Sequence, residues 1–235
     1  MKKSLKECYT NYFGAGNPNA EHWFIGFEPG GNPLNQDQVQ YLEKLINSSE
    51  SEFSRFSENY IKVPFEKGFT EQLFYLLEAF ELSSNYSKDE NEWTITFPDD
   101  GNAFFTNLFL LKFPSEKDEN NDELLIHYKK YFDIESNTAT RNFLYPASWI
   151  LERSKLFIEP KYDPKVIFIL KKEWNESYFN LLGIDRPIEV AFPYDENNKD
   201  NCDIYKFNQR LIVFLKNTYS TKDGIMQLVE KINVV

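Results

Sequence analysis

Along this chain, short apolar segments alternate with longer segments whose apolar residues fall on one helical face. The clearest predicted strand is residues 164–170, in which a proline precedes a run rich in β-branched residues. The clearest predicted helix is residues 69–80, whose apolar side chains recur at helical spacing. Strands that alternate with helices need crossover connections, so this pattern predicts a mainly parallel sheet with helices on both faces. The other predicted strands are residues 22–26, 103–108 and 187–192, and the other predicted helices are residues 36–47, 124–132, 147–157, 204–215 and 225–232.

Polar stretches rich in acidic residues separate these elements and are typical of surface loops. None of them has the proline- and glycine-rich composition of a long linker between domains. We therefore expect a single domain that covers residues 1–235. The acidic stretches are residues 48–59, 83–92, 115–123 and 195–203.

The negative charge of the chain argues against a broad nucleic-acid-binding surface. Asp and Glu number 37 against 26 Lys and Arg, which gives a formal net charge of −11. The broad basic surface of most nucleic-acid-binding proteins is therefore absent, and any nucleic-acid site has to be a local positive patch. Candidates for such a patch are Lys171, Lys172, Arg141 and Arg153, or they are solvated residues at helix ends and in loops.

The cysteine and histidine content argues against a zinc site and an iron–sulfur cluster. The two cysteines, Cys8 and Cys202, are too few for a disulfide framework, a four-cysteine zinc site or a four-cysteine iron–sulfur cluster. The two histidines, His22 and His127, show no metal-ligand spacing. The first residues form no apolar signal region, and no apolar run is long enough to cross a membrane. We expect a soluble, cytoplasmic protein with no metal, no cofactor and no membrane partner.

Ligands of parallel sheets bind beyond the carboxyl ends of the strands, which directs attention to residues 26–31 after the first predicted strand. Glycines there allow tight turns and a close approach by a ligand. The carboxylate of Glu28 could orient a water molecule, act as a base or stabilise a developing cation. The alternative is an ordinary strand-to-helix turn with an exposed glutamate. The other candidate residues of this segment are Gly26, Pro29, Gly30 and Gly31.

Two further segments offer side chains suited to a planar ligand. Phe65 follows Pro64 ahead of the strong helix and could stack on a ring, or it could fill the core. Asn107 lies at the end of a buried strand, where an unsatisfied polar group is costly. Its amide has both donors and an acceptor, which suits the edge of a nucleobase, or it satisfies the backbone of a nearby turn.

In this order, the segments resemble the motifs of the uracil-DNA glycosylase superfamily, especially its thermostable iron–sulfur branch. The first family motif has the form G-E-x-P-G or G-x-N-P-G. A Pro-Phe pair, a helix that ends in Leu-Leu, and a strand that ends in Thr-Asn follow in the family. The resemblance extends from residue 23 to residue 215. The matching segments are residues 26–30 (Gly-Phe-Glu-Pro-Gly), Pro64-Phe65 with Leu76-Leu77, Thr106-Asn107 with Lys112 and Pro114, and residues 149–157 with 164–167.

The resemblance implies a three-layer α/β/α sandwich with a central, mainly parallel four-stranded sheet. It also implies a DNA N-glycosylase-like hydrolase that removes uracil or a related base without a metal or a cofactor. In the family the Phe stacks on uracil and the Asn reads its edge, and these roles fall on Phe65 and Asn107. The acidic or amide residue of the first motif places the attacking water or supports the sugar cation, a role that falls on Glu28.

The resemblance also implies contacts to the rest of the ligand. Backbone amides near Gly30 and Gly31 would contact a phosphate or a base carbonyl, and Lys112 and Lys171 are candidate phosphate contacts. The partners implied are single-stranded or duplex DNA that contains uracil, or a free nucleobase or nucleotide.

The chain also departs from the family pattern. The last family motif is usually His-Pro-Ser, whose His stabilises the leaving base anion, and Phe192 occupies that position here. Tyr194 would have to replace the histidine in part. Lys171 stands where the family usually has glycine, the cluster cysteines are missing, and the family binds DNA electrostatically whereas this chain is acidic. Enzymatic activity therefore stays open, and so does the oligomeric state. The alternatives are an inactive nucleobase- or nucleotide-binding module and an acidic interaction protein with the same fold.

Overall fold

The chain folds into two compact units in a computed structural model. The first unit takes Met1–Gly14, Phe27–Ser57 and Asn107–Ile158, and the second unit takes Ala15–Gly26, Glu58–Thr106 and Glu159–Val235. The single domain expected from the sequence stays a prediction. The structure describes residues 3–11, 14–26, 60–64, 69–82, 86–88, 92–98, 100–107, 121–135, 146–156, 161–170, 202–215 and 222–233.

The elements of the described residues are numbered here in chain order. The strands are β1 (Lys3–Ser4), β2 (Ala15–Gly16), β3 (His22–Gly26), β4 (Tyr60–Pro64), β5 (Tyr86–Lys88), β6 (Glu92–Thr96), β7 (Ala103–Asn107), β8 (Phe132–Asp133), β9 (Val166–Ile169), β10 (Cys202–Phe207) and β11 (Arg210–Leu215). The helices are α1 (Leu5–Asn11), α2 (Phe69–Ala79), α3 (Asp122–Tyr131), α4 (Ala147–Leu156) and α5 (Lys222–Ile232).

The main sheet has six strands in the order β10-β11-β9-β3-β7-β2. Strands β3, β9 and β11 are parallel, with Trp23 aligned to Ile167 and Ile167 aligned to Ile212. The edge strands β10 and β2 run antiparallel to their neighbours. The predicted α/β class and mostly parallel sheet are therefore confirmed. The sheet of the described residues has six strands, whereas the sequence predicted four.

Strands β9 and β11 are buried along their whole length, and β3 is buried from Trp23 to Gly26, which explains why they form continuous apolar runs in the sequence. Trp23 and Phe24 of β3 are both fully buried. The Trp23 ring lies 4.7 Å from the ring of Phe104 on β7, and the Phe24 ring stacks 5.4 Å from Phe168 on β9. These aromatic contacts hold the three strands together from side to side.

The predicted helix over residues 204–215 is wrong, because these residues form the hairpin of β10 and β11. Every residue of β11 is buried, so the apolar spacing belongs to a continuous buried run, which periodicity alone does not distinguish from a helix. The turn residues Asn208 and Gln209 have φ values of 53° and 61°. Two left-handed residues are the requirement of a two-residue type I′ turn.

A second sheet of three antiparallel strands has the order β4-β6-β5. Strand β5 lies within residues 83–92, so the surface loop predicted there is wrong in part. The segment is so polar that its sequence has no apolar pattern of the kind that indicates a strand. The predicted helices over 69–80, 124–132, 147–157 and 225–232 are confirmed as α2, α3, α4 and α5. The predicted helix 36–47 and strand 187–192 lie outside the described residues.

Helices form most of the described part of the first unit. Helices α1 and α4 pack against each other, and β1 pairs with β8 in parallel. The side chain of Asn121 accepts a hydrogen bond of 2.9 Å from the Leu124 amide, which caps the start of α3. No helix within the described ranges is both long enough and apolar enough to cross a membrane.

Candidate functional site

Two of the candidate site residues fall on described strand ends. Strand β3 ends at Gly26, and strand β7, its neighbour in the sheet order, ends at Asn107. The other candidates keep the roles predicted for them, and those roles stay predictions. Glu28, Pro29, Gly30, Gly31, Phe65, Lys112, Lys171, Phe192 and Tyr194 lie outside the described residues.

Asn107 is a buried polar residue held through its backbone. It is 8% exposed, and Thr106 before it is fully buried. The Asn107 carbonyl oxygen accepts hydrogen bonds from Nη2 of Arg153 at 2.7 Å and from Nε of Arg153 at 3.3 Å. Both bonds carry the charge of the guanidinium, which makes them stronger than bonds between neutral groups. The backbone at the end of β7 is therefore fixed by a side chain from α4.

The same guanidinium also holds the end of α1. Arg153 is 0% exposed, and its Nη1 donates a hydrogen bond of 3.1 Å to the Tyr9 carbonyl. Tyr9 lies within the last four residues of α1, whose carbonyls have no partner inside the helix. A cation at this end is also favoured by the helix dipole, and α1 has no basic residue in its own last turn. Arg153 thus acts as the C-terminal cap of α1.

The Tyr9 ring completes the surroundings of Arg153. The guanidinium carbon lies 5.2 Å from the centroid of this ring, within the range of a cation–π contact. Burial raises the pKa of the Tyr9 phenol, and the positive charge of Arg153 opposes that rise only in part. The phenol is therefore neutral over the physiological pH range.

The burial of Arg153 overturns both sequence interpretations of this residue. It belongs neither to a surface basic patch nor to a solvated helix end, because no part of it is exposed. A signal was present in the sequence: Arg153 follows Ile150 by three positions, and Ile150 lies on the buried face of α4. A charged residue at a core position of a helix is typically paired, so this spacing favoured a buried anchor.

A separate cavity of about 570 Å³ lies in the second unit, at the amino ends of β3 and β9. This volume falls in the range of ligand pockets. His22 and Lys165 line it where the two strands begin, and the imidazole lies 4.3 Å from the ring of Phe80. The cavity is thus at the opposite edge of the sheet from Gly26. No sequence motif pointed to it, because its lining residues are scattered along the chain.

The charges around this cavity are balanced. Glu21 and Lys165 form an ion pair at its rim, and Glu81 and Lys206 also line it. Burial lowers the pKa of His22, and the nearby charge of Lys165 acts in the same direction, while Glu21 and the Asn102 carbonyl oppose the change. The imidazole is therefore mainly neutral at pH 7, and the wall gives no strong preference for an anion or a cation.

Comparison with known proteins does not assign this chain to a family. Neither the models of known protein families nor the curated protein sequences give a match to this chain. Within the described parts of the chain, no group of three or more His, Cys, Asp or Glu residues is arranged to hold a metal ion.

Proposed function

We propose that this chain is a diverged member of the uracil-DNA glycosylase superfamily that removes uracil or a related base from DNA. The proposal includes the three-layer α/β/α sandwich of that superfamily. One observation supports it most: Asn107, the residue that would read the base, ends a buried strand and has its backbone clamped by a buried arginine. Recognition of a base edge needs an amide that reaches the base from a defined position, and the fixed backbone of Asn107 supports such a role.

The proposed reaction is hydrolysis of the bond between the sugar C1′ and the base nitrogen. The Asn107 amide would pair with the base edge, and Phe65 would stack on the ring. Glu28 would orient a water molecule and accept its proton as the water oxygen bonds to C1′. The base would leave with the electrons of the broken bond and take up a proton from solvent. The negative charge of Glu28 would also stabilise the positive charge that develops on the sugar.

A nucleobase-binding module without hydrolysis is the second candidate, and two observations favour it. Phe192 has no hydrogen-bond donor, so it cannot stabilise the leaving anion as the family histidine does. The net charge of −11 also works against DNA, because much of the affinity for DNA comes from the release of phosphate counterions. A free base or nucleoside would not meet this repulsion to the same degree.

Base release from oligonucleotides tests the two candidates. Wild-type protein, Glu28→Gln and Glu21→Gln are incubated with single-stranded uracil DNA and with a U·G duplex, and abasic sites are read by alkaline cleavage. We expect cleavage by the wild type and a loss of about 100-fold or more in Glu28→Gln. Glu21→Gln should cleave normally, because Glu21 lies before β3, at the opposite end from the proposed site.

The remaining outcomes separate the candidates. No cleavage by the wild type, together with a uracil-induced rise in thermal stability, would favour the binding module and contradict the glycosylase. Absence of both cleavage and stabilisation would contradict both candidates. Equal cleavage by the wild type and Glu28→Gln would remove Glu28 from the mechanism.

A further inference from the structure

We propose that Arg153 is a positioning residue that sets base selectivity by fixing Asn107. This inference rests on the proposed function, since it assigns the base-reading role to the Asn107 amide. Arg153 donates two hydrogen bonds to the Asn107 carbonyl, so it acts on this residue through the backbone. Its contribution is to fix the position from which the Asn107 amide reaches the base.

The contact has the features of a clamp rather than of a single hydrogen bond. Nε and Nη2 of Arg153 converge on one Asn107 oxygen from the rigid plane of the guanidinium. The third donor, Nη1, goes to the Tyr9 carbonyl, which ties the same plane to α1. Rotation of the guanidinium would break bonds at both ends. The carbonyl of Asn107 therefore has little freedom to move.

The position of the Asn107 amide matters because uracil and cytosine present opposite edges. Uracil offers an N–H donor beside a carbonyl acceptor, and cytosine offers a nitrogen acceptor beside an amino donor. An asparagine amide can satisfy either edge, since its oxygen and nitrogen exchange places on a half-turn of its terminal torsion. Selection of the uracil edge thus requires that the amide reach the uracil N–H and carbonyl at hydrogen-bond distance. A displaced backbone would move the amide from that position and weaken its pairing with uracil.

Burial makes the arginine specific to this task. A charged side chain inside a protein is costly unless its donors are used, and three donors of Arg153 go to the carbonyls of Asn107 and Tyr9. Lysine keeps the charge but has a compact ammonium in place of the planar fork, so it cannot direct two donors to one oxygen and a third to another in the same way. Arg153→Lys therefore keeps the positive charge but removes the planar set of donors that binds the two carbonyls.

The test compares Arg153→Lys with Arg210→Lys, which changes the other buried arginine of the described chain. Rates of base release, or affinities if release is absent, are measured for uracil and cytosine in the same single-stranded oligonucleotide. We expect the uracil-to-cytosine ratio to fall at least tenfold in Arg153→Lys, because one well-placed base contact discriminates by that factor or more. Arg210→Lys should keep the wild-type ratio. Arg153→Gln serves as the second variant if the lysine variant does not fold.

A second readout follows Asn107 without any ligand. The ¹⁵N-labelled side-chain amide of Asn107 is assigned by its loss in Asn107→Ala, and its signals are compared between the wild type and Arg153→Lys. Shifted or broadened signals with a reduced selectivity ratio support the proposal. Unchanged signals contradict it. Changed signals with an unchanged uracil-to-cytosine ratio would show that Arg153 positions Asn107 but that this position does not set base selectivity, which contradicts the proposal.

These readouts also separate this proposal from the function on which it rests. If the wild type neither releases nor binds a base, the proposed function is wrong and the selectivity claim is overturned with it. The amide signals of Asn107 then still decide whether Arg153 positions that residue. If the wild type is active and selective but Arg153→Lys matches it in both readouts, the function stands and the positioning role is wrong.

Discussion

Among the described residues, each compact unit contains one buried arginine, and the two have different kinds of partner. Arg153 in the first unit is 0% exposed, and it donates hydrogen bonds to the backbone carbonyls of Asn107 and Tyr9. Arg210 in the second unit is 7% exposed and donates to the Tyr162 carbonyl. Arg210 also pairs at 3.4 Å with Asp163, whose side chain is 89% exposed.

The different partners of the two arginines indicate different structural roles. Arg210 begins β11 and is tied to the segment before β9, so it fastens neighbouring parts of the sheet near the surface. An exposed partner is screened by water, and such a pair adds little to stability. Arg153 is enclosed and holds one residue of the candidate site and one helix end. The comparison predicts that the first unit depends more on its arginine than the second unit does.

Replacement of each arginine by methionine gives the largest expected contrast. Arg153→Met removes charged donors from two buried carbonyls, and we expect the free energy of unfolding to fall by about 2–4 kcal/mol. Arg210→Met removes the donor to one carbonyl and a screened ion pair, and a fall of about 1–2 kcal/mol is expected. Urea unfolding followed by circular dichroism measures both. Equal losses, or a larger loss in Arg210→Met, would break the comparison.

A smaller effect of opposite sign is expected at the turn that leads to Arg210. Gln209 has a φ of 61°, where the β-carbon lies too close to the backbone carbonyl, and glycine has no β-carbon. Gln209→Gly should therefore raise the free energy of unfolding by about 0.5–1 kcal/mol. Urea midpoints measure the change. The gain would show that the hairpin beside Arg210 is not at its stability optimum.

Asn208→Gly is the matched control for this change. Asn208 has a φ of 53°, but asparagine tolerates the left-handed conformation better than glutamine does. Its replacement should give a smaller gain than Gln209→Gly. A loss of stability in Gln209→Gly would show that the glutamine side chain makes contacts that outweigh its backbone strain.

The sequence pattern predicted an element correctly where that pattern is typical of either a helix or a strand, but not of both. The helical spacing of apolar residues predicts α2 correctly, and the β-branched run after a proline predicts β9 correctly. Residues 204–215 were not predicted correctly, because a fully buried strand and a helix share their apolar spacing. Asn208 was the available hint, since an asparagine in the middle of an apolar segment favours a hairpin turn.

The candidate site was predictable only as far as side-chain type and strand position allow. The end of β7 at Asn107 follows from a buried strand that stops at a polar residue. The clamp on Asn107 did not follow, because Arg153 lies 46 positions later and only the folded chain brings the two together. The cavity at His22 was missed for the same reason, since its walls come from several elements of the second unit.

The two histidines, one in each unit, provide the last contrast, which depends on pH. Burial lowers the pKa of both His22 and His127, with Lys130 adding to the effect at His127. A histidine with a lowered pKa in the folded state is protonated more readily in the unfolded chain, whose imidazole pKa is about 6.5. The stability that each one contributes is therefore present above that pH and is lost as the pH falls below it.

Urea midpoints at pH 7.5 and pH 5.5 measure this loss, and the lower limit stays above the range in which carboxylates such as Glu21 titrate. We expect the wild type to be less stable at pH 5.5. His22→Gln and His127→Gln should each reduce the difference, because glutamine takes up no proton. A wild type that is equally or more stable at pH 5.5 would contradict the sign of both shifts. A difference that disappears in His22→Gln alone would assign the pH response to the second unit, and one that disappears in His127→Gln alone would assign it to the first.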